Sequence, residues 1–162
     1  MNPAEIEHLF VYGTLRKALN HSLLTVLKKH AFFVNNGVCQ GKLLNLGKYP
    51  GVVPSENSNN VVYGEVYGLK DSKNILEILD RYEGCSPGFP QPTKFIRQLA
   101  SVFLSTGLHL KAWMYLYNFP AEQHEVIPGG DYIQYLEKHR PHLLREYMTS
   151  PLIEDEFDYL GD

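Results

Sequence analysis

Apolar positions along the chain change period several times, and each change predicts an element. His8-Leu9-Phe10-Val11-Tyr12 is a short apolar run that stops at Gly13-Thr14, the pattern of a buried strand with a turn at its C-terminal end. Leu23, Leu24, Val26 and Leu27 then follow at helical spacing behind Ser22, and the stretch closes on Lys28-Lys29-His30. That spacing predicts a helix capped by Ser22, with basic residues at the negative pole of its dipole. Residues 31–34, 38–46 and 61–69 are rich in β-branched and aromatic side chains broken by glycine and asparagine, which predicts strands of an antiparallel or mixed sheet. Residues 49–54 and 55–60 read as turn and loop.

Ser72 opens a second helix, in which Ile75, Leu76, Ile78, Leu79 and Tyr82 fall on one face and Gly84 stands at the C-terminal cap position. Residues 85–92 hold three prolines and a glycine, so an irregular covering loop is expected there. Strand character resumes over 95–104 and 111–118, with Thr106-Gly107 as the hairpin turn. Asp131, after Pro128-Gly129-Gly130, caps a further helix through Tyr132, Ile133, Tyr135 and Leu136 that Pro141 interrupts. Residues 154–162 carry five acidic side chains and no basic one, a solvated tail. Strands follow one another without βαβ alternation, which predicts a small α+β domain with a barrel-like sheet. Its expected extent is 1–140, with 141–162 as a C-terminal extension.

Composition narrows the partners. The 162 residues are 44% apolar and 12% aromatic, enough for one folded core. A net charge of −3 lacks the basic excess that gives sequence-independent phosphate affinity, so no nucleic-acid partner is expected. No apolar run approaches the roughly 20 residues of a membrane helix, and the start carries no basic or apolar signal region, so no membrane partner is expected and the cytoplasm is the expected compartment. Cys39 and Cys85 are the only cysteines, which leaves two thiols or a single disulfide and no zinc site.

Candidate chemistry is confined to two places. GxSxG, HExxH and GxGxxG are absent, and Gly37-Val38-Cys39-Gln40-Gly41-Lys42 has the wrong glycine spacing for a phosphate loop. The seven histidines are scattered, so no metal site is expected. Tyr12-Gly13-Thr14-Leu15-Arg16 reads either as a tight turn leaving a strand or as a nest of backbone N–H groups that binds a carboxylate. Glu83 closes the second helix directly before Gly84. A carboxylate at that pole of the dipole is unfavourably placed, and burial there raises its pKa toward the range a general acid or base needs. The alternative is a surface glutamate.

Phe10-Val11-Tyr12-Gly13-Thr14-Leu15-Arg16, Tyr49-Pro50-Gly51, Tyr63-Gly64-Glu65-Val66-Tyr67, Leu79-Asp80-x-Tyr82-Glu83-Gly84 and Ala112-Trp113-Met114-Tyr115 stand in the order found in the gamma-glutamylcyclotransferase-like family, which the chain resembles from about residue 8 to about residue 139. That family includes gamma-glutamylamine cyclotransferases and plant avirulence-induced-gene proteins. The resemblance implies a mixed β-barrel flanked by helices. Its cavity would take a small-molecule γ-glutamyl substrate, with no metal or cofactor. It implies that Tyr12, Gly13, Thr14 and Leu15 hold the substrate α-carboxylate through backbone N–H groups. Glu83 is implied as the catalytic general base and acid, and Tyr115 lines the cavity, with Tyr117 on the same side-chain parity. Core packing is the alternative for both tyrosines. Many relatives carry Tyr-x-Arg after the Glu-Gly pair, whereas Phe95-Ile96-Arg97 stands here, without the hydroxyl. The implied reaction releases 5-oxoproline and a free amine; the alternative is a non-catalytic small-molecule binding or regulatory protein using the same pocket.

Overall fold

The computed structural model describes residues 6–19 and 21–149; the acidic tail expected over 154–162 lies outside them. Among the described residues eight strands form two sheets. Strands β1 (His8–Val11), β2 (Ala31–Gln40), β5 (Val61–Leu69), β6 (Phe95–Leu104) and β7 (His109–Tyr117) close a barrel in the order β1-β5-β2-β6-β7. Most pairs are antiparallel, as where Phe10 stands opposite Val66. The closing seam is parallel, with Leu9 opposite Trp113, so the barrel is mixed. Strands β3 (Lys42–Asn45), β4 (Pro50–Val53) and β8 (Glu125–Val126) make a small second sheet in the order β4-β3-β8.

Several boundaries differ from the sequence expectation. Residues 31–34 and 38–40 belong to one strand, because 35–37 stay in the ladder with a bulge between Phe33 and Asn35. The break falls instead at Gly41, where the chain leaves the barrel for the second sheet and the Gly41 N–H donates to the Asn60 carbonyl (2.9 Å). The expected turn at 49–54 contains β4, paired with β3 from Pro50 opposite Asn45 to Val53 opposite Lys42. Proline is tolerated there because it starts the strand.

Among the described residues four α-helices pack around the sheets. In α1 (Leu23–His30) the expected cap is displaced: Ser22 is itself helical (φ −58°, ψ −33°) and makes no side-chain cap bond. His21 replaces it, its Nδ1 accepting from the Leu23 N–H at 2.9 Å. Helix α2 (Ser72–Glu83) buries Ile75, Leu76 and Leu79 and ends at Gly84 in the left-handed region (φ 77°, ψ 27°), where glycine has no steric penalty. Asp131 caps α3 (Tyr132–His139) by accepting from the Gln134 N–H. Pro141 ends that helix and opens α4 (Pro141–Thr149), a position that needs no N–H donor.

Strand alternation divides the apolar side chains between two cores. Phe10, Val66, Val102 and Met114 fill the barrel together with Tyr132, Leu136 and Leu143 from α3 and α4. Leu9, Val11 and Tyr115 face the other way, against Leu27 of α1 and Ile75 and Leu79 of α2. The last turn of α2 is thereby brought to the ends of β1 and β7.

Candidate active site

Beyond Val11 the chain turns sharply: the Arg16 N–H donates to the Gly13 carbonyl (3.0 Å). Among the described residues, nothing in the protein accepts from the N–H groups of Thr14 and Leu15. The requirement for glycine here is spatial. Gly13 is not among the glycines with positive φ, and a Cβ at this position would stand 2.7 Å from Pro50 Cγ. Arg16 does not face solvent. It reaches Asp131 at 2.9 Å and the buried Glu65 at 3.6 Å, while Glu65 also accepts from the Lys17 N–H at 2.9 Å. These contacts fix residues 13–17 to β5 and to the cap of α3.

Opposite this turn stands the end of α2. Between them lies a cavity of about 380 Å³ lined by Tyr12, Gly13, Thr14, Leu15, Glu83 and Tyr115, so all six residues singled out in the sequence meet in one space. Tyr49, Pro50, Lys94 and Phe95 form further wall. Tyr117 is not part of the lining; its hydroxyl lies 3.0 Å from His124 Nε2. Among the lining residues Glu83 and Lys94 alone carry a carboxyl or an amine.

Burial pushes the Glu83 carboxyl up to about 8, and the charge of Asp80 adds to the rise. Asp80 precedes Glu83 by three residues, hence on the same helix face. It is the centre of a cluster. Tyr115 donates its hydroxyl to Asp80 Oδ1 at 2.6 Å, and Arg97 donates from Nε at 2.8 Å and from Nη2 at 3.2 Å. The Arg97 guanidinium in turn lies 4.3 Å from the Trp113 ring centroid. Phe95 and Arg97 thus divide the work: Phe95 lines the cavity and Arg97 secures Asp80. Tyr12 points into the barrel, with its hydroxyl donating to the Tyr115 carbonyl at 2.6 Å, and burial followed by the Glu83 charge pushes its pKa far up.

Asp80 was not singled out in the sequence, although its spacing of three from Glu83 on one helix face is the signal that could have found it. The meeting of Lys94 with Tyr49 was not legible, since the two are far apart in the chain and no local pattern links them. Among the described residues no three His, Cys, Asp or Glu side chains are grouped so as to hold a metal ion, and Cys39 and Cys85 are free thiols. The arrangement can hold an anion at backbone N–H groups while a neutral or ionised carboxyl exchanges a proton across the same space.

Residues 9–134 match the family model described as "Gamma-glutamyl cyclotransferase, AIG2-like". The gamma-glutamylcyclotransferase family protein YtfP of Escherichia coli K12 is 31% identical over 127 residues, covering 77% of this chain and 95% of that protein. A relative from Methanocaldococcus jannaschii that bears a provisional gamma-glutamylcyclotransferase name is 33% identical, with 80% of this chain and 98% of that protein covered. The crystal structure of a mouse AIG2-like protein shares the fold, with a TM-score of 0.65 at 23% identity over 85% of this chain and 92% of that one.

Proposed function

The chain belongs to the gamma-glutamyl cyclotransferase, AIG2-like family, and on that premise we propose that it converts a small γ-glutamyl compound into 5-oxoproline and a free amine. The observation that carries this reading is that Glu83 lines one cavity together with Thr14 and Leu15, whose N–H groups have no acceptor among the described residues. In this reading the N–H groups hold the substrate α-carboxylate. That anchor sets the α-amine toward Glu83.

The chemistry is internal to the substrate. Ionised Glu83 takes a proton from the α-ammonium, and the freed nitrogen attacks the side-chain carbonyl carbon, closing a five-membered ring. The bond from that carbon to the departing nitrogen then breaks, as Glu83 returns a proton to the leaving amine. Of the three ammonium protons one stays on the ring nitrogen and two end on the amine, which leaves as an ammonium. No water, redox step or external nucleophile enters this scheme. Holding amine and carbonyl in attack geometry is the main contribution of the protein. Raising the Glu83 pKa to about 8 brings the carboxylate nearer in basicity to the substrate α-amine, which makes the first proton transfer less uphill.

Glu83→Gln keeps the shape and removes the proton acceptor. Release of 5-oxoproline from a panel of γ-glutamyl compounds is expected to fall by about 10²–10⁴-fold with an unchanged circular dichroism spectrum. Retention of more than about a tenth of the wild-type rate would exclude Glu83 as general base. A wild type that releases 5-oxoproline from no compound would favour a binding protein.

A further inference from the structure

We propose that Lys94 is a specificity-determining residue, selecting γ-glutamyl compounds whose departing amine carries a carboxylate on the carbon next to nitrogen, as in a γ-glutamyl α-amino acid. This rests on the cyclotransferase reading above. Every substrate of such an enzyme shares the γ-glutamyl part, so selection falls on whatever wall the departing group meets. The turn at 13–15 and Glu83 are taken up by the γ-glutamyl part. Of the wall that remains, which includes Tyr49, Pro50, Lys94 and Phe95, Lys94 alone carries a charged side chain. Lys94 is exposed while Phe95 beside it is buried, which puts the ammonium at the open end, where a departing group of variable size must lie.

Lysine is usually a mobile point charge, but this one is held at both ends. The Lys94 carbonyl accepts from the Asn118 N–H (2.7 Å) and the Thr93 carbonyl from Asn118 Nδ2 (2.9 Å). Thr93, itself buried, donates its hydroxyl to the Phe95 carbonyl (2.7 Å). At the other end Nζ donates to the Tyr49 hydroxyl (2.6 Å) and lies 5.3 Å from that ring's centroid. Among the described residues no carboxylate pairs with it. A fixed and unneutralised cation beside the two aromatic rings of Tyr49 and Phe95, 6.2 Å apart, attracts a carboxylate on a departing amine and repels a second ammonium there.

Three matched compounds separate the possibilities: γ-glutamylalanine, its neutral carboxamide, and the cationic γ-glutamyl-1,4-diaminobutane. The expected order of kcat/KM in the wild type is carboxylate over carboxamide by about tenfold or more, with the cationic compound last. Lys94→Met is expected to bring the first two within about threefold, and Lys94→Glu to place the cationic compound first. A wild type that treats all three alike overturns the proposal. So does a Lys94→Met variant that loses activity on all three in equal proportion, which would assign Lys94 to the shared γ-glutamyl end. Calorimetric Kd values for γ-glutamylalanine and its carboxamide on Glu83→Gln, with and without Lys94→Met, read the same preference without turnover. If no compound yields 5-oxoproline, the cyclotransferase reading fails. The Kd ratio then still decides Lys94, upholding it if the carboxylate binds about tenfold tighter only with Lys94 present and overturning it otherwise.

Discussion

Glu83 is subject to two consequences of opposite sign. Its pKa in the folded chain, about 8, lies above the value of about 4.3 expected on unfolding. Between those values the folded protein keeps a proton that the unfolded chain has lost, so stability falls as pH rises through the window. Glu83→Gln removes that slope: the variant is expected to match the wild type near pH 4 and to exceed it near pH 8.5, by a few kcal/mol at most, in urea unfolding at the two pH values. Equal stability at both would show that the carboxyl is not held protonated. Activity runs the other way, because the ionised form is the proton acceptor. The rate of 5-oxoproline release is expected to climb about tenfold per pH unit below an apparent pKa near 8, and Asp80→Asn should move that limb toward lower pH by removing a neighbouring charge. At this scale the sequence disclosed that a carboxylate ended an amphipathic helix. It did not disclose the main source of the raised pKa, since burial under the turn at 13–15 comes from a segment remote in the chain.

Elements were legible where the signal was local and obscure where it was not. Helix α2 followed from the spacing of Ile75, Leu76 and Leu79 and from Gly84, all within one segment. The single strand β2 was hidden because Asn35, Asn36 and Gly37 are poor strand residues that β5 holds in the ladder, with β6 joining on the other side at Gly37. The turn before α3 was visible, but its purpose was not. Gly130 has φ +71°, and its carbonyl accepts from the Tyr63 N–H at 2.9 Å. A Cβ there would be driven into the Val61 carbonyl. Gly130→Ala therefore combines a strained backbone with a clash against main chain that cannot move aside. A loss of roughly 2–4 kcal/mol is expected in urea unfolding. A loss below about 0.5 kcal/mol, the level of an ordinary surface change, would mean that this turn does not bear on β5 as the structure has it.

Across the whole molecule, barrel closure was the feature the sequence concealed most fully, because the pairing of Leu9 with Trp113 joins strands from opposite ends of the chain and leaves no periodic trace. Helix α4 raises the same point. Residues matching the family model stop at 134, yet α4 beyond them places Leu143 in the barrel core beside Leu19, Tyr132 and Leu136, with Leu143 only 7% exposed. The Tyr147 hydroxyl donates to the Lys48 carbonyl, and Arg140 Nη1 reaches the Gly47 carbonyl at 2.9 Å. Both contacts hold the bend leading into Tyr49 and Pro50, one wall of the cavity. Leu143→Ala is expected to cost about 2–3 kcal/mol, with unfolding still a single transition, since the helix and the barrel share one core. The same variant should weaken substrate binding more than turnover, raising KM while kcat stays within about threefold, because Glu83 and the turn at 13–15 are held by other contacts. A cost below about 0.5 kcal/mol, or a separate early transition for α4, would show that the helix is an appendage and that the wall at Tyr49 stands without it.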